Sequence, residues 1–233
     1  KVLEIGSGCG PITGVLAKKA GSVTCIDLSK MRSTINAYRN QECDNVKILV
    51  GNFQDIEASL TEKYDYITLI GVFEYSEGYI GTQEPYVEML RRIAGHLAEG
   101  GKLVIAIENR LGLKYWAGCT EDHTGKYFEG LENYPNTKGV RTFSRKELQG
   151  LINRAGDFKT TFYYPYPDYK FPMTIHSDKR LPQKGEQKDN SCNFDRPRLQ
   201  LFNEARVYDS LVDAGLFSEF SNSFLVLVER KDG

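Results

Sequence analysis

The feature that most constrains the fold is the stretch VLEIGSGCGPITG at residues 2–14. A short apolar run that ends in glycines spaced G-x-G-x-G indicates a buried strand followed at once by a tight turn of bare backbone. In an α/β sheet, such a turn faces the crevice at the carboxyl ends of the strands, where ligands bind. The stretch therefore predicts a ligand-binding turn after the first strand.

The spacing of the turn limits which ligand it suits. The third glycine of a dinucleotide-binding G-x-G-x-x-G turn would fall at Pro11, which disfavours NAD. Glu4 stands just before the turn, where a carboxylate would repel a pyrophosphate and attract a positively charged ligand. Asp27 ends the second apolar run, where a carboxylate can accept the hydroxyl protons of a ribose. The pattern predicts a phosphate-free, positively charged nucleoside, and S-adenosylmethionine meets these conditions.

Strands and helices alternate over the first half of the chain. Apolar runs predict strands at 2–5, 23–26, 46–50, 66–70 and 103–107, and helical periodicity predicts helices at 12–20, 31–41 and 84–98. Ser29 is the predicted N-cap of the second helix, and Gly100-Gly101 the predicted stop of the third. Apolar runs without polar interruptions predict a parallel sheet with helices on both faces.

The alternation lapses after Glu108. Ser144 and Glu147 form a capping-box pattern that predicts a helix over 143–156. Further strands are predicted at 159–164 and 224–228, with a helix at 199–214 between them. The irregular segments 109–141 and 165–222 leave the carboxyl edge of the sheet, so we expect them to form a lid over the acceptor.

Composition and charge narrow the class of protein. The 233 residues suit a single domain, and 40% hydrophobic residues is an ordinary share for a globular protein. The net charge of −1 offers no global attraction to nucleic acid, so no nucleic-acid partner is expected. No apolar run is long enough to cross a bilayer.

Cysteine usage and the first residue add two expectations. The five cysteines are far apart and include no CxxC pair, which indicates reduced thiols in a cytoplasmic setting and argues against structural zinc. No metal is therefore expected. Lys1 is not an initiator methionine and the first strand begins at once, so we expect a piece of a longer chain whose other domains are its partners.

The sequence resembles the class I S-adenosylmethionine-dependent methyltransferases. VLEIGSGCG and VTCIDLS match the first two motifs of that family, and GNFQDI and YDYITLIGVFEY resemble the motifs after the third strand and along the fourth. RTFSRKELQGLINRAGDF resembles the helix before the sixth strand. The resemblance implies an α/β, Rossmann-like three-layer sandwich with a mostly parallel seven-stranded sheet whose last strand is antiparallel. It also implies methyl transfer from S-adenosylmethionine.

The resemblance implies a set of cofactor-binding residues within these motifs. They are Glu4, Gly6, Ser7, Gly8, Gly10, Asp27, Leu28, Asn52, Phe53, Gly71 and Val72. The glycine turn would line the methionine and ribose portions with Glu4 behind it, and Asp27 would hold the ribose hydroxyls. Leu28 would pack on the adenine.

Asn52 stands where the family often has aspartate, and its side-chain oxygen would accept from the adenine amino group. The backbone N–H of Phe53 would meet a ring nitrogen of the adenine. Gly71 and Val72 would approach the amino-acid part of the cofactor.

Three residues are candidates for catalysis. Methyl transfer from a sulfonium is an in-line displacement, so alignment matters most, and an oxygen acceptor also needs a base. His123, one of three histidines, is the candidate base in segment 109–141. Glu74 and Tyr75 follow the fourth strand, where an acceptor is expected, and Tyr75 would orient it. Tyr115 and Trp116 are candidates for stacking on a sugar.

The sequence therefore predicts a methyltransferase for a small-molecule or carbohydrate-linked acceptor, acting by O-methylation. Segments ENRLGLKYWAGCTEDHTGKYFEGLENYP and FSNSFLVLVER resemble methyltransferase domains associated with bacterial glycosyltransferases and surface-polysaccharide synthesis. One alternative is a non-catalytic S-adenosylmethionine-binding module of a larger protein. Another is a nucleic-acid methyltransferase, which the near-zero net charge and the lack of an N-P-P-Y-like tetrapeptide after the fourth strand disfavour.

Overall fold

The computed structural model describes residues 1–188 and 198–231. Its strands are β1 (Val2–Ile5), β2 (Val23–Asp27), β3 (Val46–Val50), β4 (Tyr64–Ile70), β5 (Leu97–Glu108), β6 (Phe158–Tyr166), β7 (Thr174–Ser177) and β8 (Ser223–Arg230). Its α-helices are α1 (Thr13–Ala17), α2 (Lys30–Arg39), α3 (Phe53–Ile56), α4 (Ser76–Tyr79), α5 (Pro85–Gly95), α6 (Leu113–Trp116), α7 (Arg145–Ala155), α8 (Glu204–Asp213) and α9 (Phe217–Phe220). Short 3-10 turns cover Glu57–Ser59 and Phe73–Tyr75. No helix among these is long and apolar enough to cross a membrane.

The strands of the described residues form one sheet in the order β3-β2-β1-β4-β5-β8-β6-β7. β1 pairs in parallel with β2 and with β4, and β2 pairs in parallel with β3. β6 and β7 are antiparallel. This confirms the predicted Rossmann-like α/β sheet, mostly parallel with antiparallel strands near the C-terminus. The strand order reverses between β1 and β4, which is where sheets of this kind bind ligands.

The sheet has one strand more than the seven expected. The added strand is β7, which pairs with β6 from Tyr163↔Ser177 to Tyr166↔Thr174. Of its residues only His176 is buried, while Ile175 is exposed. A strand of four residues without alternation of buried apolar side chains gives no period-2 signal, which explains why the sequence pattern does not show it.

Within its described residues the chain forms two compact units. The first unit contains 1–105, 152–160 and 227–231, and the second contains 106–151, 161–188 and 198–226. The second unit therefore includes the described parts of both irregular segments, 109–141 and 165–222. Their role as a lid, and the single-domain organisation, stay predictions.

Different side chains fill the two units. In the first, Val2, Val23 and Cys25 of the sheet pack with Ala17 of α1 in a small aliphatic cluster. In the second, aromatic rings pack edge to face, with Tyr164 against Phe217 and Phe224 at centroid distances of 5.8 and 6.2 Å. Tyr164 and Tyr166 of β6 are thus core residues.

The prediction that Gly100-Gly101 stops a helix is wrong. α5 ends at Gly95, with His96 as its C-cap, and β5 begins at Leu97. Both glycines therefore lie inside β5. A Cβ on Gly101 would lie 2.8 Å from the Tyr64 carbonyl oxygen at the start of β4, so glycine is needed there for close approach of two strands.

The two predicted N-caps are confirmed. Ser29 Oγ accepts from the Arg32 backbone N–H at the start of α2. At the start of α7, the Glu147 carboxylate accepts from the backbone N–H of Ser144 at 2.8 Å, and Ser144 Oγ lies 3.4 Å from the Glu147 nitrogen. This is the reciprocal pattern of a capping box.

Candidate functional site

A cavity of about 450 Å³ lies in the first unit at the carboxyl ends of β1, β2, β3 and β4. It therefore occupies the point at which the strand order reverses. The residues that line it are Ile5, Gly6, Ile26, Asp27, Leu28, Ser29, Arg32, Gly51, Asn52, Phe53, Gly71, Val72, Tyr75, Tyr79 and Met89. Volumes of roughly 300 to 1,000 Å³ are usual for sites that bind small molecules and cofactors.

Many of the residues named from the sequence lie in this wall. Those of the predicted cofactor set that line it are Gly6, Asp27, Leu28, Asn52, Phe53, Gly71 and Val72, and Tyr75 of the catalytic set joins them. The lining does not include Glu4, Ser7, Gly8 or Gly10. The wall thus brings together the ends of strands that are far apart in the sequence.

The carboxylate of Asp27 in the cavity wall is held by two backbone N–H groups. One of its oxygens accepts from the Gly8 backbone N–H and the other from the Ser29 backbone N–H, both at 2.8 Å. The residue is 8% exposed. Since each carboxylate oxygen has a further lone pair, Asp27 can accept additional hydrogen bonds from a ligand in the cavity.

Glu4 lies beneath the turn and is buried. Its carboxylate accepts from Thr13 Oγ1 at 2.6 Å and from the Cys25 thiol at 3.4 Å. Burial raises the pKa of Glu4, although these two hydrogen bonds oppose the shift. In the structure, Glu4 joins β1 to α1 and β2, and its attraction for a positively charged ligand stays a prediction.

The polar network continues from Thr13 to α2. Asn36 Nδ2 donates to Thr13 Oγ1 at 3.1 Å, and Asn40 Nδ2 donates to Asn36 Oδ1 at 2.7 Å and to the Gly10 carbonyl at 3.2 Å. A Cβ on Gly10 would lie 2.1 Å from Asn36 Oδ1, and its φ is +73°. Gly10 therefore serves the approach of the turn to α2.

Asn52 links the loops that follow β3 and β4. Its Oδ1 accepts from the Gln54 backbone N–H at 3.1 Å and caps α3, while its Nδ2 lies 3.4 Å from the Tyr79 carbonyl oxygen. Asn52 therefore helps to fix the wall on which Phe53 and Tyr79 lie. Its contact with an adenine stays a prediction.

Seven residues of the cavity wall are not among the predicted site residues. These are Ile5, Ile26, Ser29, Arg32, Gly51, Tyr79 and Met89. A signal existed for some of them: Arg32 lies in the first turn of α2, three positions after its N-cap, and Tyr79 lies four positions after Tyr75. Met89 is a buried residue of α5, and nothing in its local pattern separates it from an ordinary core residue.

The candidate base His123 lies in the second unit, with its side chain 9% exposed. Its Nδ1 is 2.9 Å from Glu121 Oε1, and its Nε2 is 3.9 Å from Glu108 Oε2. Burial tends to raise the pKa of Glu121, but His123 and backbone N–H groups outweigh it and lower that pKa. The imidazole thus lies beside an ionised carboxylate.

A partly buried cluster of charges lies near His123 in the same unit. Lys114 Nζ lies 2.8 Å from Asp122 and 2.9 Å from Asp168, and Lys170 Nζ lies 3.1 Å from Glu108 and 3.4 Å from Asp122. Burial tends to raise the pKa of Asp122, but the two lysines outweigh it and hold that pKa well below its usual range. Ion pairs therefore connect segments 109–141 and 165–222.

The remaining candidates differ in exposure. Glu74 is buried, and its backbone carbonyl accepts from the Tyr86 hydroxyl at 3.3 Å. Tyr115 is buried with its hydroxyl bonded to Asp122. Trp116 is 45% exposed, and its Nε1 donates to the Leu111 carbonyl. Of the two stacking candidates, only Trp116 presents a ring to solvent.

Comparisons with known proteins agree with this fold. Residues 3–103 match the profile of a methyltransferase domain family. An uncharacterized methyltransferase of Staphylococcus carnosus (strain TM300) is 27% identical over 158 residues, which cover 67% of this chain and 68% of the relative.

Two solved structures share the architecture. A putative S-adenosylmethionine-dependent methyltransferase of Listeria monocytogenes superposes with a TM-score of 0.56 at 14% identity, over 99% of this chain and 90% of that one. The N-methyltransferase NodS of Bradyrhizobium japonicum WM9 superposes with a TM-score of 0.55 at 13% identity, over 99% and 85%. At these identities the likeness concerns the fold.

The sheet order and the cavity at its reversal point define a Rossmann-like protein with a ligand-sized crevice at the carboxyl ends of its strands. The profile match over residues 3–103 and the related sequence indicate a class I S-adenosylmethionine-dependent methyltransferase, with S-adenosylmethionine as its cofactor.

Proposed function

We propose that this enzyme transfers a methyl group from S-adenosylmethionine to a hydroxyl oxygen of a small-molecule or carbohydrate-linked acceptor. The observation that best supports the cofactor site is the Asp27 carboxylate, held in the cavity wall by the N–H groups of Gly8 and Ser29. Its remaining lone pairs can accept both hydroxyl protons of a ribose. Bound there, the cofactor supplies a methyl group on a positively charged sulfur.

The other residues of the cavity suit the rest of the nucleoside. Leu28 is 58% exposed although it lines a cavity, and we propose that an adenine ring covers it. Asn52 and the Phe53 backbone are proposed to meet the polar edge of that ring. Gly71 and Val72 are proposed to meet the amino-acid end, while Gly6, Ser7, Gly8 and Gly10 shape the turn and Glu4 supports it from behind.

The proposed acceptor chemistry depends on His123. A hydroxyl group loses a proton when its oxygen is methylated, and an imidazole titrates in the range where it can take up that proton. Glu121 holds the imidazole at Nδ1, as a carboxylate does for many histidine bases. Tyr75 in the cavity wall is proposed to orient the acceptor. Glu74, the residue before it, is proposed to assist catalysis.

The setting of the enzyme is also a proposal. Cys9, Cys25, Cys43 and Cys119 are free thiols, which suits the reducing cytoplasm, while Cys192 lies outside the described residues. We propose that the chain works there beside other domains of a longer protein. The glycan part of the proposal is supported by the resemblance of segments 108–135 and 220–230 to glycosyltransferase-associated methyltransferase domains.

The cofactor site is tested by the substitution Asp27→Ala. We expect a weaker affinity for S-adenosylhomocysteine by about 10- to 100-fold, because each hydrogen bond to a charged group contributes roughly 1.5–3 kcal/mol. Isothermal titration calorimetry measures it, with NADH as a ligand that should not bind. Asp55→Ala is the matched control, since Asp55 is exposed on α3 outside the cavity wall. Equal affinity of wild type and Asp27→Ala would exclude the proposed ribose contact.

The acceptor is tested with methyl glycosides and the corresponding amino sugars, by following release of S-adenosylhomocysteine. We expect methylation of hydroxyl groups, and a loss of about 10²- to 10⁴-fold in kcat for His123→Ala with cofactor affinity unchanged. Turnover of amino sugars alone would instead establish a nitrogen acceptor.

A further inference from the structure

We infer that Glu121 is a positioning residue: it holds the neutral imidazole of His123 in the tautomer with the proton on Nδ1, so that Nε2 is the basic nitrogen. This inference rests on the proposed function, in which His123 takes up the proton of the acceptor. Beyond that function, the inference assigns to Glu121 the choice of which nitrogen of His123 is basic. The contacts that support it all lie within the second unit.

Glu121 receives hydrogen bonds at both carboxylate oxygens. Oε1 lies 2.9 Å from His123 Nδ1 and accepts from the Tyr134 hydroxyl at 3.2 Å. Oε2 accepts from the backbone N–H groups of His123 and Thr124 at 2.8 and 2.7 Å. The residue is 2% exposed. A buried carboxyl group with this many donors is stabilised in its ionised form.

The ionised state of Glu121 fixes the tautomer of its partner. A carboxylate has no proton to donate, so the contact of 2.9 Å is a hydrogen bond only if Nδ1 carries the hydrogen. In a neutral imidazole the other nitrogen is then without a proton. His123 Nε2 is therefore the atom that takes up a proton.

The surroundings of Nε2 favour the charged product of that step. Glu108 Oε2, on β5, lies 3.9 Å from Nε2, and Lys170 Nζ lies 3.1 Å from Glu108 Oε1. An imidazolium formed at His123 would thus have one carboxylate near each ring nitrogen. The ammonium of Lys170 offsets part of the negative charge of Glu108, the carboxylate near Nε2. The proton passes from the acceptor hydroxyl to Nε2 as the oxygen forms its bond to the methyl carbon and the carbon–sulfur bond breaks.

The stretch after Glu121 that supplies Tyr134 contains unusual backbone conformations. Three non-glycine residues of the same segment have positive φ: Phe128 at 62°, Asn133 at 67° and Tyr134 at 58°. The Tyr134 hydroxyl, bonded to Glu121, lies 2.6 Å from Thr142 Oγ1 and accepts from the Thr142 backbone N–H. Such conformations persist only where the surroundings enforce them, and here the chain reversal brings Tyr134 to Glu121.

The test is nuclear magnetic resonance of protein labelled with ¹⁵N in its three histidines. In the wild-type protein above the pH of imidazole titration, we expect the His123 signals of a protonated Nδ1 and an unprotonated Nε2. Observation of the opposite tautomer would overturn the inference without any variant. Because this measurement needs no acceptor, its result does not depend on whether the proposed methylation occurs.

The substitution Glu121→Gln sharpens the test. Loss of the negative charge weakens the preference for Nδ1–H, because the amide can present either its oxygen or its NH2 group to Nδ1. It should also lower the titration midpoint of His123 by about one pH unit, since a nearby opposite charge typically changes a pKa by roughly one to three pH units. The matched control is Glu129→Gln, because Glu129 is a buried carboxylate of the same segment that accepts from Thr137 and the Asn136 backbone. An unchanged midpoint in Glu121→Gln, or an equal change in both variants, would overturn the inference.

Activity measurements separate this inference from the proposed function. With a methyl glycoside that the wild type methylates, His123→Ala should lose turnover and Glu121→Gln should lose about 10- to 100-fold in kcat while retaining its affinity for S-adenosylhomocysteine. Full activity in His123→Ala would show that His123 is not the base, whichever tautomer it adopts. Loss in His123→Ala with full activity in Glu121→Gln would leave the base in place and overturn the role of Glu121.

Discussion

The glycine turn of the first unit and the charge cluster of the second unit hold buried polar groups in different ways. Beneath the turn, Glu4 accepts from a hydroxyl and a thiol, and burial raises its pKa. In the cluster, Lys114 lies between Asp122 and Asp168. The polar groups beneath the turn are therefore stabilised by hydrogen bonds from uncharged side chains. The polar groups of the cluster are stabilised by ion pairs.

The two regions also differ in how far apart their partners lie in the sequence. Thr13 and Asn36 are 23 residues apart, and both belong to one β-α-β-α stretch. Lys114 and Asp168 are 54 residues apart and belong to two separate irregular segments. A local sequence motif can therefore predict the site at the turn. The charge cluster forms only when two distant segments meet in the folded chain.

The largest expected effect is in the charge cluster, for Lys114→Met. Removal of the ammonium leaves the partly buried carboxylates of Asp122 and Asp168 with only part of their compensation, and breaking a buried ion pair typically costs about 3–5 kcal/mol. We expect a loss of that size in the free energy of unfolding, measured by urea denaturation. Lys184→Met is the control, because Lys184 and Asp213 form an exposed pair 2.8 Å apart for which we expect a change below about 1 kcal/mol. Similar losses in both variants would contradict the importance of burial.

The next effect is in the turn, for Gly10→Ala. The added Cβ would lie 2.1 Å from Asn36 Oδ1 at a backbone φ of +73°, so we expect a loss of about 1–3 kcal/mol in the free energy of unfolding together with weaker binding of S-adenosylhomocysteine. Gly21→Ala is the control, since a Cβ there meets no atom within 4 Å. Replacement of glycine at such a permissive position is neutral or stabilises by roughly 0.4–1 kcal/mol. Equal stability of the two variants would show that the turn tolerates a side chain.

The sequence named many residues of the cavity wall because its signals there are local. The spacing of Gly6, Gly8 and Gly10, with Asp27 at the end of the next strand, reports a strand–turn–helix unit directly. Pattern alone could not distinguish the residues that contact the cavity from those that support it. Gly10 packs on α2, and Glu4 bonds to Thr13, although both belong to the same motif.

The sequence could not predict the charge cluster, because the residues that form it lie far apart in the chain. Lys114 and Asp168 lie in segments without periodicity, and nothing in either segment shows that the other will be its partner. The wrong prediction at Gly101 has a related cause. Glycine is favoured both at the end of a helix and where two strands approach closely, so the residue type alone does not separate the two. Only the pairing of β5 with its neighbours separates the two roles.

The smallest expected effect compares how the two regions respond to pH, through Glu4→Gln and Asp122→Asn. The pKa of Glu4 is raised above its ordinary value of 4.5 in the folded protein. The stability that its protonated form contributes is therefore complete below 4.5 and is lost as pH rises through the raised value. The pKa of Asp122 is lowered below its ordinary value of 3.8, so its contribution is present above 3.8 and is lost as pH falls.

The two variants should consequently show opposite trends in urea denaturation between about pH 3 and pH 8, with changes on the order of 1 kcal/mol in the free energy of unfolding. Relative to Glu4→Gln, the wild type should lose stability as pH rises above 4.5, whereas relative to Asp122→Asn it should lose stability as pH falls below 3.8. Parallel trends would mean that Glu4 is held in its ionised form, as it would be if a positive charge were its true partner. The sign of the Glu4 trend thus decides whether the acid before the turn is protonated or ionised in the folded protein.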